Sequence, residues 1–382
     1  MKNQLSIGSL MARAVLPGLL LIILGGPALS GVAEETPVTF YALGDTHINT
    51  IAWGNDGVRE MVEIMNELPG REFPLGGETG EPAGAIISGD LVDSFGNDPE
   101  SWEIFKDWFR PAGGGKFDYP VYEGAGNHDM TGDEDFGEFN DLQRDIMERN
   151  EQRPGDIYTG ENGYHYSWEW GGVRFMQLHK FAGNEPRPIY GGEPSPQNDP
   201  HNSLDFIEHV LEEKAGDSGQ PVILTWHYGL RGWGLEMWWD EEDLDNLAEV
   251  LEGYNILLII HAHEHSYQSY EWEGYDVKMA PAPYSDFERD GEETSIPKGI
   301  LVFRITEDEL QMAHKTGEQA WRETWSKAID RPCLNARRLR PAQKERAEAA
   351  LHIFTWRLSR RRAFVIRLLR LPRLLPLRGG EW

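Results

Sequence analysis

The sequence has almost no cysteine: Cys333 is the only one in 382 residues. A disulfide within the chain is therefore impossible, and the lack of further thiolates argues against a structural zinc site. Positive charge is also scarce in most of the chain. Residues 331–382 contain 14 Lys and Arg residues and 3 acidic ones, so residues 1–330 carry a net charge of −39 against −28 for the whole chain. Such an acidic body argues against nucleic acid as its partner.

Long hydrophobic runs are absent after the N-terminal region. There, "AVLPGLLLIILGGPALSG" follows basic residues and ends in small ones, which predicts a secretory signal peptide over residues 1–33, cleaved between Ala28 and Ala33. The alternative is an uncleaved membrane anchor, but the run is short for a span and contains Pro17. We expect the mature protein to be exported to the periplasm or the extracellular space.

Residues 37–130 alternate apolar runs with helical patterns. The runs "VTFYAL", "GAIIS" and "YPVYEG" predict buried strands, and the two segments between them have apolar residues at helical spacing. This β-α-β-α-β order is typical of a layered α/β domain with functional loops at strand ends. Further strand patterns predict a second sheet. We therefore predict one α/β domain over residues 37–328, with two packed mixed β-sheets flanked by helices.

The stretch "NILLIIHAHEHSY" follows a buried apolar run with three histidines at alternate positions, His261, His263 and His265. Residues two apart in an extended chain point to the same side, so the three imidazoles would share one face. Neutral imidazole is a common metal ligand. Structural histidines are the alternative, but three titratable rings in one buried register favour a metal site.

Four other loops, each at the end of an apolar run, also carry side chains of the metal-binding type. They are "GDTH", "GDLVD", "GNHD" and "WHYG". Each motif alone is more often a turn with a capping Asp, so the indication comes from their number and order. Oxygen donors mixed with imidazoles favour Mn, Fe or Zn over Ca or Mg alone. A carboxylate with ligands on both sides fits a two-metal site, and such sites hydrolyse phosphate esters.

The series GDTH, GDLVD, GNHD, WH and HAHEH resembles the calcineurin-like metallophosphoesterase superfamily over roughly residues 38–315. The resemblance implies a metallophosphoesterase-like sandwich fold and two divalent or mixed-valence metal ions. It implies that Asp90 bridges the two ions. It assigns the remaining ligands to a first ion (Asp45, His47 and His265) and to a second ion (Asn127, His227 and His263).

The resemblance also implies a reaction, the hydrolysis of a small phosphoester by metal-bound hydroxide. Two cations lower the pKa of a shared water and neutralise the charge of the phosphate. His128 would act on the phosphoryl or leaving-group oxygen, and Asp129 would orient it. His261 is expected to lie behind the ligands. Both monoesters and diesters stay open as substrates, with a weak preference for a diester or a lipid-like phosphate.

The sequence departs from the family pattern at Ala262, where the family usually has glycine. If this position needs a positive φ or a close backbone approach, alanine would shift a ligand or cost stability. Purple acid phosphatases place a tyrosine where Asp93 stands, so we expect no tyrosinate–Fe(III) colour.

Two other functions compete with phosphoester hydrolysis. A metallo-β-lactamase-type hydrolase needs His-x-His-x-Asp-His, but "HAHEHS" has His265 where that Asp belongs. A secreted binding protein that keeps the fold without turnover is the alternative from a different class. The nearby "GWGLEMWWD" either forms an apolar wall for the substrate or caps the core through Trp233, Trp238 and Trp239.

The segment over residues 331–382 is a basic tail, rich in Arg, Leu and Pro. An amphipathic helix at an anionic membrane surface is one interpretation, and docking onto the acidic body is another. A third is that the end of a GC-rich gene is read out of frame. All the motifs precede Asp330, so catalysis is expected not to need the tail.

Overall fold

The computed structural model describes residues 37–51, 55–93, 98–130, 135–188, 192–231, 238–283, 299–317 and 320–330. The expected signal peptide and the basic tail lie outside these ranges, as does Trp233, so the statements on them stay predictions. Within the described ranges, no helix is both long and apolar enough to span a membrane.

The described residues form thirteen strands and five α-helices. In chain order these are β1 (Val38–Leu43), α1 (Asp56–Glu67), β2 (Pro82–Ser88), α2 (Pro99–Trp108), β3 (Val121–Gly124), α3 (Asp141–Asn150), β4 (Tyr158–Thr159), β5 (Tyr166–Trp170), β6 (Val173–Gln177), α4 (Ser203–Val210), β7 (Val222–Thr225), α5 (Glu241–Leu251), β8 (Ile256–His261), β9 (Gln268–Trp272), β10 (Tyr275–Met279), β11 (Ile300–Ile305), β12 (Glu309–Lys315) and β13 (Trp321–Ala328).

The strands form two mixed sheets, as predicted. One has the order β13-β12-β11-β1-β2-β3, and the other has the order β4-β5-β6-β7-β8-β10-β9. Strands β1, β2 and β3 are parallel, and so are β6, β7 and β8. Parallel neighbours end at the same edge of a sheet, so the loops after β1, β2 and β3 meet, and those after β7 and β8 do the same.

The two sheets pack face to face over an aromatic core. Phe40 of β1 stacks on Phe303 of β11 at 4.7 Å and meets Phe175 of β6 edge-on at 5.2 Å. Alternate residues of β1 point to opposite faces, so Tyr41 and Leu43 join a second core shared with α1, α2 and α3. A third core lies between the other sheet and helices α4 and α5. The predicted α/β architecture with flanking helices is therefore confirmed.

Local sequence signals explain where the helices near the predicted site begin. Asp98 caps α2 by accepting from the backbone N–H of Glu100, and Pro99 suits the first helical position because its missing N–H is not needed there. Asn140 and Gln143 form a reciprocal capping box at the start of α3.

A buried ion cluster anchors β3, the strand that leads to the GNHD loop. The carboxylate of Glu123 pairs with Arg149 at 2.6 Å and with Arg153 at 2.5 Å. Burial opposes the charge of Glu123, but the two guanidinium groups outweigh it and lower its pKa to about 2. Removing one partner of a buried ion pair typically costs about 3–5 kcal/mol. The cluster therefore fixes the end of β3.

Candidate metal centre

The predicted ligands converge at the carboxyl ends of β1, β2, β3, β7 and β8. Donor atoms within 4.8 Å of one another form three groups among the described residues, and Asp90 belongs to two of them. The first group is Asp45, His47, Asp90 and His265, and the second is Asp90, His227 and His263. A third group joins His47 to Asp93 and His128. The amide oxygen of Asn127 lies 2.9 Å from Nε2 of His227, so it joins the second group. All seven predicted metal ligands are thus brought together.

In the first and the second group, nitrogens of two different imidazoles face each other. Nε2 of His47 lies 3.1 Å from Nε2 of His265, and Nε2 of His227 lies 3.1 Å from Nδ1 of His263. The Oδ2 atom of Asp90 lies 3.6 Å from the His47 nitrogen and 3.3 Å from the His227 nitrogen. One carboxylate oxygen therefore faces both groups.

Contacts behind the ligands set the orientation of the imidazoles. Nδ1 of His227 donates to the carbonyl oxygen of Ser88 at 2.8 Å, so Nε2 is the nitrogen that faces the centre. Nδ1 of His47 lies 3.4 Å from Oδ1 of Asp93. Such contacts fix the tautomer of a metal-binding histidine and raise its basicity.

The backbone at the site is strained at five of the predicted ligands. Positive φ values, which non-glycine residues rarely adopt, occur at Asp45 (52°), His47 (41°), Asp90 (51°), His263 (79°) and His265 (56°). Such strain is characteristic of functional sites and persists only where the surrounding structure holds it. Crowding adds a second constraint, since a Cβ on Gly126 would lie 2.2 Å from Oδ1 of Asp90.

The structure resolves the doubt over Ala262. This residue is not among those with positive φ, so alanine causes no backbone strain there. The close approach does exist, but Gly44 accommodates it: a Cβ on Gly44 would lie 2.2 Å from the Cβ of Ala262. The N–H of Ala262 donates to the carbonyl oxygen of His227 at 3.0 Å. Ala262 therefore fits the site because residue 44 is glycine.

The buried carboxylates of the site favour the binding of cations. Burial, together with the charge of Asp90, raises the pKa of Asp45 to about 7, and the same two causes raise that of Asp129 to about 6. Burial disfavours a charged His227, but Asp90 and Asp45 outweigh it and raise its pKa to about 9. Oδ1 of Asp45 is buried and makes no hydrogen bond with the described residues. A buried carboxylate oxygen without a donor, beside facing imidazole nitrogens, fits a divalent cation.

The role expected of Asp129 is not supported by its contacts. Its carboxylate accepts from the backbone N–H groups of Gly126, Leu91 and Val92 at 2.7–3.1 Å, so it ties the GNHD loop to the GDLVD loop. The ring of His128 instead meets Asp93, whose carbonyl oxygen accepts from Nδ1 at 3.0 Å. In this structure Asp93 contacts the ring of His128, and the orienting role of Asp129 stays a prediction. The contacts of Asp93 with both His47 and His128 could not be read from motif order.

The first histidine of "HAHEH", His261, does not face the metal centre. Nδ1 of His261 donates to the carbonyl oxygen of Ala262 at 3.0 Å, and its Nε2 accepts from the hydroxyl of Tyr270 at 2.7 Å. Both nitrogens are satisfied, so His261 supports the backbone between the ligands, as expected of a residue behind them.

The described tryptophans of "GWGLEMWWD" pack into the core. Trp238 and Trp239 are buried, and Nε1 of Trp239 donates to the carbonyl oxygen of Gly229. Trp238 stacks on Tyr228 at 4.4 Å and meets the ring of His263 edge-on at 5.4 Å. Of the two interpretations, these contacts favour the core cap, which in turn packs against a predicted ligand.

The family model of the calcineurin-like phosphoesterases matches residues 38–267, and the chain belongs to this family. This assignment supports a phosphoesterase at a coarse level, and the Asp and His clusters support binding of divalent metal. Among curated proteins, no match is found.

Three solved structures illustrate the similarity. GAP50, described as the anchor in the inner membrane complex of Plasmodium, has 12% identity and a TM-score of 0.48, covering 77% of this chain and 89% of that chain. A single mutant of Vps29 from Entamoeba histolytica has 11% identity and a TM-score of 0.32, and the match covers 77% of this chain and 100% of that chain. Phosphopantetheinyl hydrolase from Mycobacterium tuberculosis has 15% identity and a TM-score of 0.35, covering 65% and 90%.

Proposed function

We propose that the protein hydrolyses a phosphoester, mono- or diester, at a centre of two metal ions. The observation that carries the proposal is the position of Asp90, whose Oδ2 atom lies 3.6 Å from a nitrogen of one ligand group and 3.3 Å from a nitrogen of the other. A carboxylate shared in this way suits two cations, because one negative charge can serve both.

The donor set indicates which residues hold each ion and which ions fit. The first site consists of Asp45, His47, Asp90 and His265, and the second of Asp90, Asn127, His227 and His263. Imidazoles mixed with hard oxygen donors favour Mn, Fe or Zn, as a divalent or mixed-valence pair. When bound, such a pair supplies a water of lowered pKa and neutralises the charge of the phosphate.

His128 is the proposed proton donor to the leaving oxygen. Its backbone N–H donates to Oδ1 of Asp90 at 2.8 Å, which ties its position to the bridging carboxylate. Its Nδ1 donates to the carbonyl oxygen of Asp93, so Nε2 is the atom that can exchange a proton with substrate. The side chain is 26% exposed, whereas that of His227 is fully buried. A residue with this access suits general acid chemistry better than metal binding.

The test is hydrolysis of p-nitrophenyl phosphate and of bis(p-nitrophenyl) phosphate after loading with Mn(II). We expect turnover of at least one ester by the wild type and loss of turnover after chelation. If two ions bind and neither ester is hydrolysed, the binding-protein alternative replaces this proposal.

Export and membrane contact are separate proposals. We propose that residues 1–33 direct export and are removed, and that the basic tail contacts an anionic membrane surface. N-terminal sequencing of the exported protein tests the first, with a new N-terminus between residues 29 and 34 expected. Binding to vesicles with and without anionic lipid tests the second.

A further inference from the structure

Residues 125–129, called the ligand segment here, carry the amide and the imidazole of the GNHD motif, and both ends of the segment are held from outside the metal centre. At its start, the backbone N–H of Ala125 donates to Nδ1 of His179 at 3.0 Å. At its end, the carbonyl oxygen of Asp129 accepts from Nδ2 of Asn140 at 3.0 Å. Neither His179 nor Asn140 belongs to a metal-binding motif.

His179, two residues after the end of β6, is held in place by several contacts. Its Nε2 donates to the carbonyl oxygen of Tyr164 at 2.9 Å, and its ring stacks on that of Tyr164 with centroids 3.6 Å apart. Burial holds the pKa of His179 well below its usual range, so the ring stays neutral and Nδ1 keeps its lone pair. The residue also has a φ of 63°, a strained value for histidine. The strained backbone therefore occurs at a residue whose two ring nitrogens both form hydrogen bonds.

The two ends of the ligand segment are connected through one hydrogen-bond network. The hydroxyl of Tyr164 accepts from Nε2 of Gln143 at 3.1 Å, and Gln143 forms the capping box with Asn140. The connection runs from the start of the segment to its end through four buried residues, His179, Tyr164, Gln143 and Asn140, with the backbone carbonyl oxygen of Tyr164 as the link to His179. A loop fixed at both ends has few conformations to lose when a ligand binds.

We propose that His179 is a positioning residue of the metal centre. By accepting the amide of Ala125 it fixes the ligand segment, and so holds Asn127 and His128 where the second ion and the leaving oxygen need them. This inference rests on the proposed function. Partners that orient metal ligands typically contribute about 10-fold to 100-fold in metal affinity or activity.

Three variants separate the hydrogen bond from packing. His179→Leu removes the acceptor, whereas His179→Asn keeps an acceptor because its Oδ1 can take the place of Nδ1. His165→Leu is the matched control: His165 is equally buried and packs against His179 at 5.3 Å, but its Nε2 donates to the carbonyl oxygens of Pro200 and His201.

Three readouts follow for each variant. They are the affinity for the second Mn(II) ion, the kcat and KM for bis(p-nitrophenyl) phosphate, and hydrogen exchange of the Ala125 amide in metal-free protein. We expect His179→Leu to weaken the second ion by about 10-fold to 100-fold, to lower kcat more than it changes KM, and to speed exchange at Ala125. His179→Asn should recover most of each effect, and His165→Leu should lose thermal stability alone.

Equal metal affinity, kcat and Ala125 exchange in His179→Leu and His165→Leu would overturn the positioning role. The same holds if His179→Asn behaves like His179→Leu in all three readouts. If wild-type protein binds metal but hydrolyses nothing, the proposed function fails while affinity and exchange still decide the role of His179. If wild type binds no metal, exchange at Ala125 alone decides whether His179 fixes the segment.

Discussion

Two neighbourhoods of the molecule each gather several buried imidazoles, and they differ in what the ring nitrogens face. In the metal centre the nitrogens face each other, with 3.1 Å separating those of His47 and His265. In the second neighbourhood, around His165, His179 and His201, the nitrogens of His165 and His179 that make hydrogen bonds do so with the backbone. Convergent donor atoms leave a place that suits a cation, whereas nitrogens bound to the backbone are already satisfied.

Charge separates the two neighbourhoods only in part. In the metal centre Asp90 and Asp45 outweigh burial at His227 and raise its pKa to about 9, whereas burial lowers the pKa of His265 to about 3. In the second neighbourhood burial dominates, so the pKa of His165 falls to about 4 and that of His201 to about 2. Left-handed backbone does not distinguish them, since His179 and His201 share it with the ligands. Burial and backbone strain alone therefore do not identify a metal site.

The largest effect that we expect comes from Asp90→Asn. A neutral amide bridges two cations poorly, so activity should be abolished and metal content should fall to at most one ion per chain. Asp199→Asn is the matched control, because Asp199 is a mostly buried carboxylate beside His201 in the second neighbourhood. Metal analysis of both variants checks this. Two tightly held ions in Asp90→Asn would refute the bridging role.

His128→Ala should give the next largest effect. We expect both ions to be retained and turnover to fall by about 10²–10⁴-fold, as for a lost general acid. Metal content and turnover measured on the same preparation separate the two contributions. Loss of an ion in this variant would mean that His128 is a metal ligand and that the role of general acid has been assigned to it wrongly.

Gly44→Ala should have a moderate effect at the contact between the loops after β1 and β8. The new methyl group would lie 2.2 Å from the Cβ of Ala262, so we expect a loss of about 1–3 kcal/mol in stability and weaker binding at the first site. Adding Ala262→Gly to this variant should restore both, while Ala262→Gly alone should change little. Chemical denaturation and Mn(II) titration of the four proteins complete the cycle. Independent effects of the two substitutions would exclude a direct contact.

Truncation after residue 330 should have the smallest effect. Strand β13 pairs Ala328 with Glu309, and the N–H of Ile329 donates to the carbonyl oxygen of Asp308 at 2.7 Å. Asn255, which directly precedes β8 of the other sheet, also donates through Nδ2 to the carbonyl oxygen of Asp330. Turnover of bis(p-nitrophenyl) phosphate should therefore stay within about twofold of the full chain, because every predicted site residue precedes residue 331. Collapse of activity or folding would show that the tail packs into the domain.

Much of the fold and of the site follows from local sequence signals. Strand periodicity and motif order predict two mixed sheets, and they place all seven candidate ligands at strand ends, where the structure brings them together. These predictions succeed because side-chain alternation and parallel pairing are set by short-range geometry. The split within "HAHEH" also follows the expected pattern, since His261 lies behind the ligands.

Other features depend on contacts between distant segments, which motif order does not contain. Asp129 was expected to orient His128, but its carboxylate is engaged by backbone N–H groups and Asp93 makes that contact. The tolerance of Ala262 depends on Gly44, which is far away in the chain. The support of Ala125 by His179 joins residues 54 positions apart. Each of these pairings is fixed by tertiary packing, so spacing along the sequence gives no signal for it.

The most direct test of the account is a crystal structure of the Mn(II)-loaded protein with anomalous scattering data. The account predicts two anomalous peaks about 3.5–4 Å apart, both within bonding distance of Asp90. One peak should also contact Asp45, His47 and His265, and the other Asn127, His227 and His263. A single peak, or two peaks that do not share Asp90, would contradict the two-metal centre.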